Sequence, residues 1–212
     1  MNRFITKYTL ALLILFCGDL GIARGDIITT LFNANNGFAG NMFDLNVLAP
    51  LGIEISQLEL NLDVGSWDVE LYTKTGTHVG SENTPGDWIL RQSSTGLTSI
   101  APNLAVPWDI TDFTLDSGLS ALYINVTNGD ALNYTNGTGV GNLVASNASV
   151  QIFEGTGNAA NFGATFSPRI WNGSIEFEPI AALPVSSVPE PGAVVVIAGM
   201  CVALANGRRK RI

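Results

Sequence analysis

Leu58-Glu59-Leu60-Asn61-Leu62 and, a few residues on, Trp67-Asp68-Val69-Glu70-Leu71 decide the fold. Apolar and polar residues alternate with period two, as in a strand that buries one face and wets the other. A helix would scatter Leu58, Leu60 and Leu62 around its cylinder. Trp67, Val69 and Leu71 share the inward face of their strand, and Asp68 and Glu70 share the outward one. Upstream, Ile53-Glu54-Ile55 alternates in the opposite phase, and the shift at Ser56-Gln57 predicts a bulge or a turn.

Further β-prone runs lie at residues 30–33, 42–48, 88–92, 113–115, 122–126, 150–153 and 175–177. Thr75-Gly76-Thr77 reads as a hairpin turn into His78-Val79, and Gly, Asn, Ser and Thr punctuate the other intervals. Many short strands at this spacing predict an all-β chain with an antiparallel, jelly-roll-like β-sandwich. One domain spans residues 26–178, and residues 179–187 form an uncharged linker with Pro184, Ser186 and Ser187. A faint echo links Asn36-Gly37-Phe38-Ala39-Gly40-Asn41 with Asn136-Gly137-Thr138-Gly139-Val140-Gly141-Asn142, as if two halves of the sandwich reused one turn.

The two ends have a different composition. Arg3 and Lys7 precede an apolar stretch at 8–16, and Ala23 and Gly25 supply small residues before Asp26. Residues 1–25 thus read as a signal-peptide helix cleaved after Gly25. Cys17 raises the alternative of a lipoprotein signal, which the bulk of Phe16 opposes. At the other end, Val188-Pro189-Glu190-Pro191 is held extended by its prolines. The uncharged run 192–205 follows, and Arg208, Arg209, Lys210 and Arg211 close the chain. The run is shorter than the ~20 residues that span a bilayer comfortably. Local thinning and snorkelling of the basic cluster let it serve as a short transmembrane helix, with that cluster stopping it on the cytoplasmic side. A buried C-terminal helix with a solvated tail is the alternative.

Val188-Pro189-Glu190-Pro191, the apolar run and Arg208-Arg209 together resemble the PEP-CTERM sorting signal of Gram-negative bacteria. That resemblance covers the tail, residues 188–212. It implies export through the general secretory route, an inner-membrane intermediate, processing by an exosortase, and delivery to the cell surface or an exopolysaccharide-rich biofilm matrix. The body carries a second resemblance. Residues 35–44, Asn133-Tyr134-Thr135-Asn136-Gly137 and Phe166-Ser167-Pro168-Arg169-Ile170-Trp171-Asn172-Gly173 are similar to a β-sandwich module of secreted bacterial proteins, which implies a fold and no settled activity.

Removing the ends changes the balance of the chain. Cys17 and Cys201 both fall outside the body, which therefore has no disulfide, thiolate nucleophile or cysteine ligand. A body of roughly 160 residues can fold on its core alone. From Asp26 to Glu190 there are three basic residues, Lys74, Arg91 and Arg169, against seventeen acids, a net charge of −14. Such a surface argues against nucleic acid and anionic lipid as partners. It favours solubility outside the cell.

Catalytic signals are sparse, and no catalytic residue is assigned. His78 is the sole histidine, placed on an exposed turn by the hairpin reading, and no Gly-x-Ser-x-Gly elbow accompanies it. Asp68 with Glu70, or Asp109 with Asp112, could serve as a carboxylate pair for a glycosidase, or simply line a solvent face. Asp109, Asp112 and Asp116, which cluster between short strands, are the candidate ligands of a structural calcium ion. Trp67, Tyr72, Trp88, Trp108, Tyr134 and Trp171 could stack on sugars. Trp67 belongs to the core face, whereas Trp88 and Trp108, beside Gly86-Asp87 and Pro107, occupy loop edges and are the carbohydrate candidates. The sequons at Asn125, Asn133, Asn136, Asn147 and Asn172 read as turn and strand chemistry. The expectation is a non-enzymatic surface or matrix protein associated with exopolysaccharide, the alternative a secreted hydrolase of polysaccharide.

The sorting signal yields a direct prediction. Replacing Pro189, Glu190 and Pro191 together with alanine leaves the unprocessed precursor in the inner membrane, as read by fractionation and intact mass. Normal export of that variant overturns the sorting expectation.

Overall fold

The structure, a computed structural model, describes residues 25–183. Residues 1–24 of the signal-peptide reading, residues 184–187 of the expected linker and the sorting tail lie outside the described residues. Among the described residues no helix is long and apolar enough to cross a membrane.

The body is built of antiparallel strands: β1 (Asp26–Thr29), β2 (Asn36–Phe38), β3 (Gly40–Val47), β4 (Ile53–Asn61), β5 (Gly65–Thr75), β6 (Ile89–Ser99) and β7 (Ala105–Leu115). There follow β8 (Gly118–Val126), β9 (Leu132–Asn136), β10 (Leu143–Ser146), β11 (Val150–Phe153), β12 (Gly155–Asn158), β13 (Thr165–Trp171) and β14 (Gly173–Pro179). A small sheet has the order β1-β14-β4-β7, and a large one runs β2-β9-β13-β12-β3-β8-β5-β6 with β10 and β11 attached through β3. Inward residues of both sheets share one core, including Ile55, Leu58 and Leu60 from the small sheet and Phe43, Leu71 and Ile124 from the large one. The architecture is that of an all-β sandwich.

The two stretches that carry the fold reading behave as their alternation requires, except at Asn61, which is fully buried and donates to Asn103 Oδ1 at 3.0 Å. Val69 and Leu71 are buried and Trp67 packs beside them against the core. The phase change at Ser56-Gln57 is a bulge within the single strand β4. Register slips there against β7 and again against β14, so Ile55 and Leu58 both face inward. At the centre, Phe43 and Trp171 stack with ring centroids 4.6 Å apart and planes 8° from parallel. Gly173 permits this contact, because a side chain there would run into the Trp171 ring and the Glu59 carbonyl.

Three local expectations are corrected. Residues 30–33 form no strand: β1 ends at Thr29, and the Thr30 hydroxyl turns onto the carbonyls of Trp171 and Gly173 at 2.6 and 3.1 Å. Gly76 does turn the chain, with φ of 83°, but β6 begins only at Ile89. The interval is a loop that ends in a short 3-10 turn, Pro85–Asp87, so there is no tight hairpin at Thr75-Gly76-Thr77. The sandwich also extends past 178, because Pro179 pairs with Ile53 and the Ile180 N–H bonds the Gly52 carbonyl.

β3 changes partner along its length. Its first half pairs with β12 and its second with β11. Between Thr156↔Met42 and Ile152↔Leu45, the residues Phe153, Glu154 and Gly155 span an interval that Phe43 and Asp44 span on β3. This bulge frees Glu154 to accept from the backbone N–H groups of Thr138 and Gly139 at 2.6 and 2.8 Å.

Trp171→Ala removes the stack and opens a central void, at a cost of about 3–5 kcal/mol in urea denaturation. Trp171→Phe keeps an aromatic face against Phe43 and loses clearly less.

Candidate functional site

The outer face of the large sheet is not a plain solvent face. β3, β8 and β5 bring Met42, Tyr123 and Tyr72 into one row by register. The loop before β6 lays Trp88 over this row, and Phe162 packs beside it, making a second, smaller core with Ala121. Tyr123 meets Phe162 and Trp88 edge-on at 5.0 and 5.9 Å. Burial pushes the Tyr123 hydroxyl well above the usual phenol range, so it stays protonated.

The adjacent row is polar. Glu70 on β5 faces Asn125 on β8, Asn125 faces Gly40 on β3, and Gly40 faces Asn158 on β12. Gly40 is required here, because a side chain would meet the Tyr123 ring. Asn125 and Asn158 are fully buried. The Tyr123 hydroxyl donates to Asn125 Oδ1 at 2.9 Å, which leaves Nδ2 without a partner among the described residues. Leaving such a donor buried and unmade costs about 1–3 kcal/mol.

Beside this row opens a cleft of about 370 Å³. Glu70, Asn125, Thr127, Asp130 and Asn161 line it with polar groups, and Ala39, Val126, Gly129, Ala159 and Ala160 supply its mostly small apolar walls. Glu70 is held in place: Tyr72 donates to its Oε2 at 2.7 Å, and the Asn161 amide reaches the same oxygen at 3.4 Å. Burial and then the bond to Glu70 raise the Tyr72 hydroxyl above its ordinary value, which keeps it a donor. The cleft thus offers acceptors and a hydroxyl where the loops after β8 and β12 meet the sheet.

The residues singled out from the sequence fall elsewhere, with Glu70 the exception. Asp68 is separated from Glu70 in role, since it accepts from the Gly96 N–H across a bulge in the β5–β6 ladder. Trp88 and Trp108 do not occupy exposed loop edges. Both are buried, their indole N–H groups bonded to the Ser81 carbonyl and the Ser94 hydroxyl, so neither offers a ring face to a sugar. Asp109 and Asp112 lie within the continuous strand β7, and Asp116 lies beyond its end, all three exposed. Among the described residues no group of three His, Cys, Asp or Glu side chains could hold a metal ion.

His78 is not an exposed turn residue. It is fully buried, with Nδ1 donating to Asp44 Oδ1 at 2.7 Å and Nε2 lying 3.5 Å from the Thr156 hydroxyl. The Asp–His–Thr order resembles a nucleophilic triad, but its sealed position gives a substrate no approach. Asp44 also accepts from the His78 N–H and the Thr77 hydroxyl, which pins the loop to the sheet. Burial works to raise the Asp44 carboxyl. The hydrogen bond and attraction of His78, helped by Thr77, overcome that and hold it below its ordinary value.

The sequons are structural in this fold. Asn125 and Asn172 are buried, Asn133 bonds Asp63, Asn136 bonds Asn36, and Asn147 closes a turn onto Ser149 and Val150. The echoed segments meet instead of repeating: Asn36 donates to Asn136 at 2.9 Å across the β2–β9 edge. Asn125, Thr127, Asp130 and Asn161 escaped the sequence reading as a site. The sequon and the Asn-rich turns held them in view, yet only register and loop closure bring them together. No protein-family model matches the chain, and no relative is found among curated proteins.

Asp44→Asn lowers stability at pH 7 by about 1–3 kcal/mol. Because the folded carboxyl titrates below its unfolded value, its contribution is present above that value and fades as pH falls through the folded one. Urea denaturation therefore finds the variant and the parent converging below about pH 4.

Proposed function

We propose that the chain is an exported, non-enzymatic surface or extracellular-matrix protein that associates with exopolysaccharide. The observation that carries this reading is the cleft on the large sheet. Glu70, Asn125, Thr127, Asp130 and Asn161 give it the mixed donors and acceptors that hydroxyl-rich ligands need. The sole histidine is spent on the fold instead.

On this reading the body is a jelly-roll-like sandwich delivered by two processed ends. A signal-peptide helix directs export, and a PEP-CTERM-like tail with a short transmembrane helix holds an inner-membrane intermediate until an exosortase releases it. The mature protein then resides at the cell surface or in the matrix of a Gram-negative bacterium. Two features support it: the motif order in residues 188–212, and a strongly acidic, cysteine-free body. Structural calcium stays an open part of the proposal, and EDTA tests it.

A secreted hydrolase is the second reading, favoured by one observation: Glu70 and Asp130 line the same cleft. The two readings separate in one experiment. The full chain is incubated with the producing organism's exopolysaccharide, with and without EDTA, and both retention and new reducing ends are measured. Retention without new reducing ends is expected. Release of reducing ends that stops on Glu70→Gln moves the assignment to the hydrolase, and no retention in either condition overturns matrix binding.

A further inference from the structure

We infer that the cleft selects a sugar carrying a protonated amine, such as a glucosamine unit, over uronic-acid and N-acetylated sugars. This rests on the polysaccharide-binding reading and names the chemistry of its ligand. Two carboxylates, Glu70 and Asp130, line the cleft, and no basic residue does. All three basic side chains of the body are committed elsewhere. Lys74 bonds the Thr75 and Thr77 carbonyls, Arg91 bonds Thr73 and lies over Phe113, and Arg169 bonds the Pro168 carbonyl and lies over Tyr134. A uronate entering the cleft meets two like charges and no counter-ion, whereas an ammonium meets two acceptors.

The hydrogen-bonding pattern narrows the ligand further. Both bonds to Glu70 fall on Oε2, and among the described residues nothing bonds Oε1. An ammonium donates to that oxygen in a charge-assisted bond, stronger than a neutral one. Thr127 and Asn161, both exposed on the same lining, add a hydroxyl and an amide oxygen. A bare metal cation gives the Thr127 hydroxyl no acceptor, but a sugar hydroxyl or ring oxygen does. An amine beside a hydroxyl therefore meets the free Glu70 oxygen and these exposed polar groups together. The small walls at Ala39, Gly129 and Ala160 leave room for a ring to approach, and about 370 Å³ suits one or two sugar rings.

The test is isothermal titration of the full chain with three tetrasaccharides: glucosamine, N-acetylglucosamine and galacturonic acid. The glucosamine form is expected to bind, with affinity at least tenfold lower on N-acetylation and no heat from the uronate. Glu70→Gln, checked for an unchanged melting temperature, loses at least tenfold for the glucosamine form. Asp109→Asn with Asp112→Asn, which removes charge from the small sheet, changes little. Equal binding of the acetylated form, absence of binding, or an equal loss in the Asp109 and Asp112 variant overturns the inference. Retention on native exopolysaccharide that survives Glu70→Gln also overturns it while leaving the matrix-binding reading in place.

Discussion

Phe43 and Asp44 are neighbours in sequence and point to opposite faces of one strand, and the rest of the body is organised by that alternation. Phe43 enters the space between the sheets and stacks on Trp171, joining the first third of the chain to its end. Asp44 faces outward, where it binds Thr77 and His78 and ties down the loop before β6. At the same point β3 exchanges β12 for β11. A slip of one residue would exchange the two faces, putting a carboxylate in the core and an aromatic ring under the loop.

Because the large sheet is covered on its outer face by Trp88 and Phe162, it has two cores of unequal size. A body without disulfides gains stability from that second layer, since Met42, Tyr123 and Ala121 leave water completely. The layer also sets the chemistry beside it. Tyr123 needs a partner for its hydroxyl and finds Asn125, and Tyr72 steadies Glu70. The cleft is therefore built by the packing of its neighbours, which holds Glu70 and Asn125 in place before any ligand arrives. Such preorganisation reduces the ordering cost of binding.

Much of the fold was legible because period two survives in any half-buried strand. Leu58 to Leu62 and Trp67 to Leu71 alternate in the phase that β4 and β5 adopt, and the break at Ser56-Gln57 marks the bulge in β4. What escaped had physical reasons. β12, Gly155–Asn158, reads as a turn by composition, yet close backbone approach to Met42 and Phe43 is what requires glycine at 155. Trp88 and Trp108 stand beside turn residues, and nothing local reveals that a loop folds back over a sheet or that an edge strand points its indole inward. His78 was placed at the surface by the same error. The cleft was the least legible feature, since Glu70, the segment from Asn125 to Asp130 and Asn161 are far apart in the chain and share no motif. The terminal segments were the reverse case, legible as ordered motifs and independent of the fold.

The position of β14 has a mechanical side. The strand is the last of the body, and it is zipped on one side to β1 and on the other to β4. Asp26, the first residue of β1, sits directly across from Phe177 near the end of β14. Tension applied along the chain beyond residue 180 thus enters an interior strand, not an edge. Two ladders, to β1 and to β4, must both be broken before the strand can leave. A sandwich loaded through its C-terminal end is in this way fastened by two ladders instead of one.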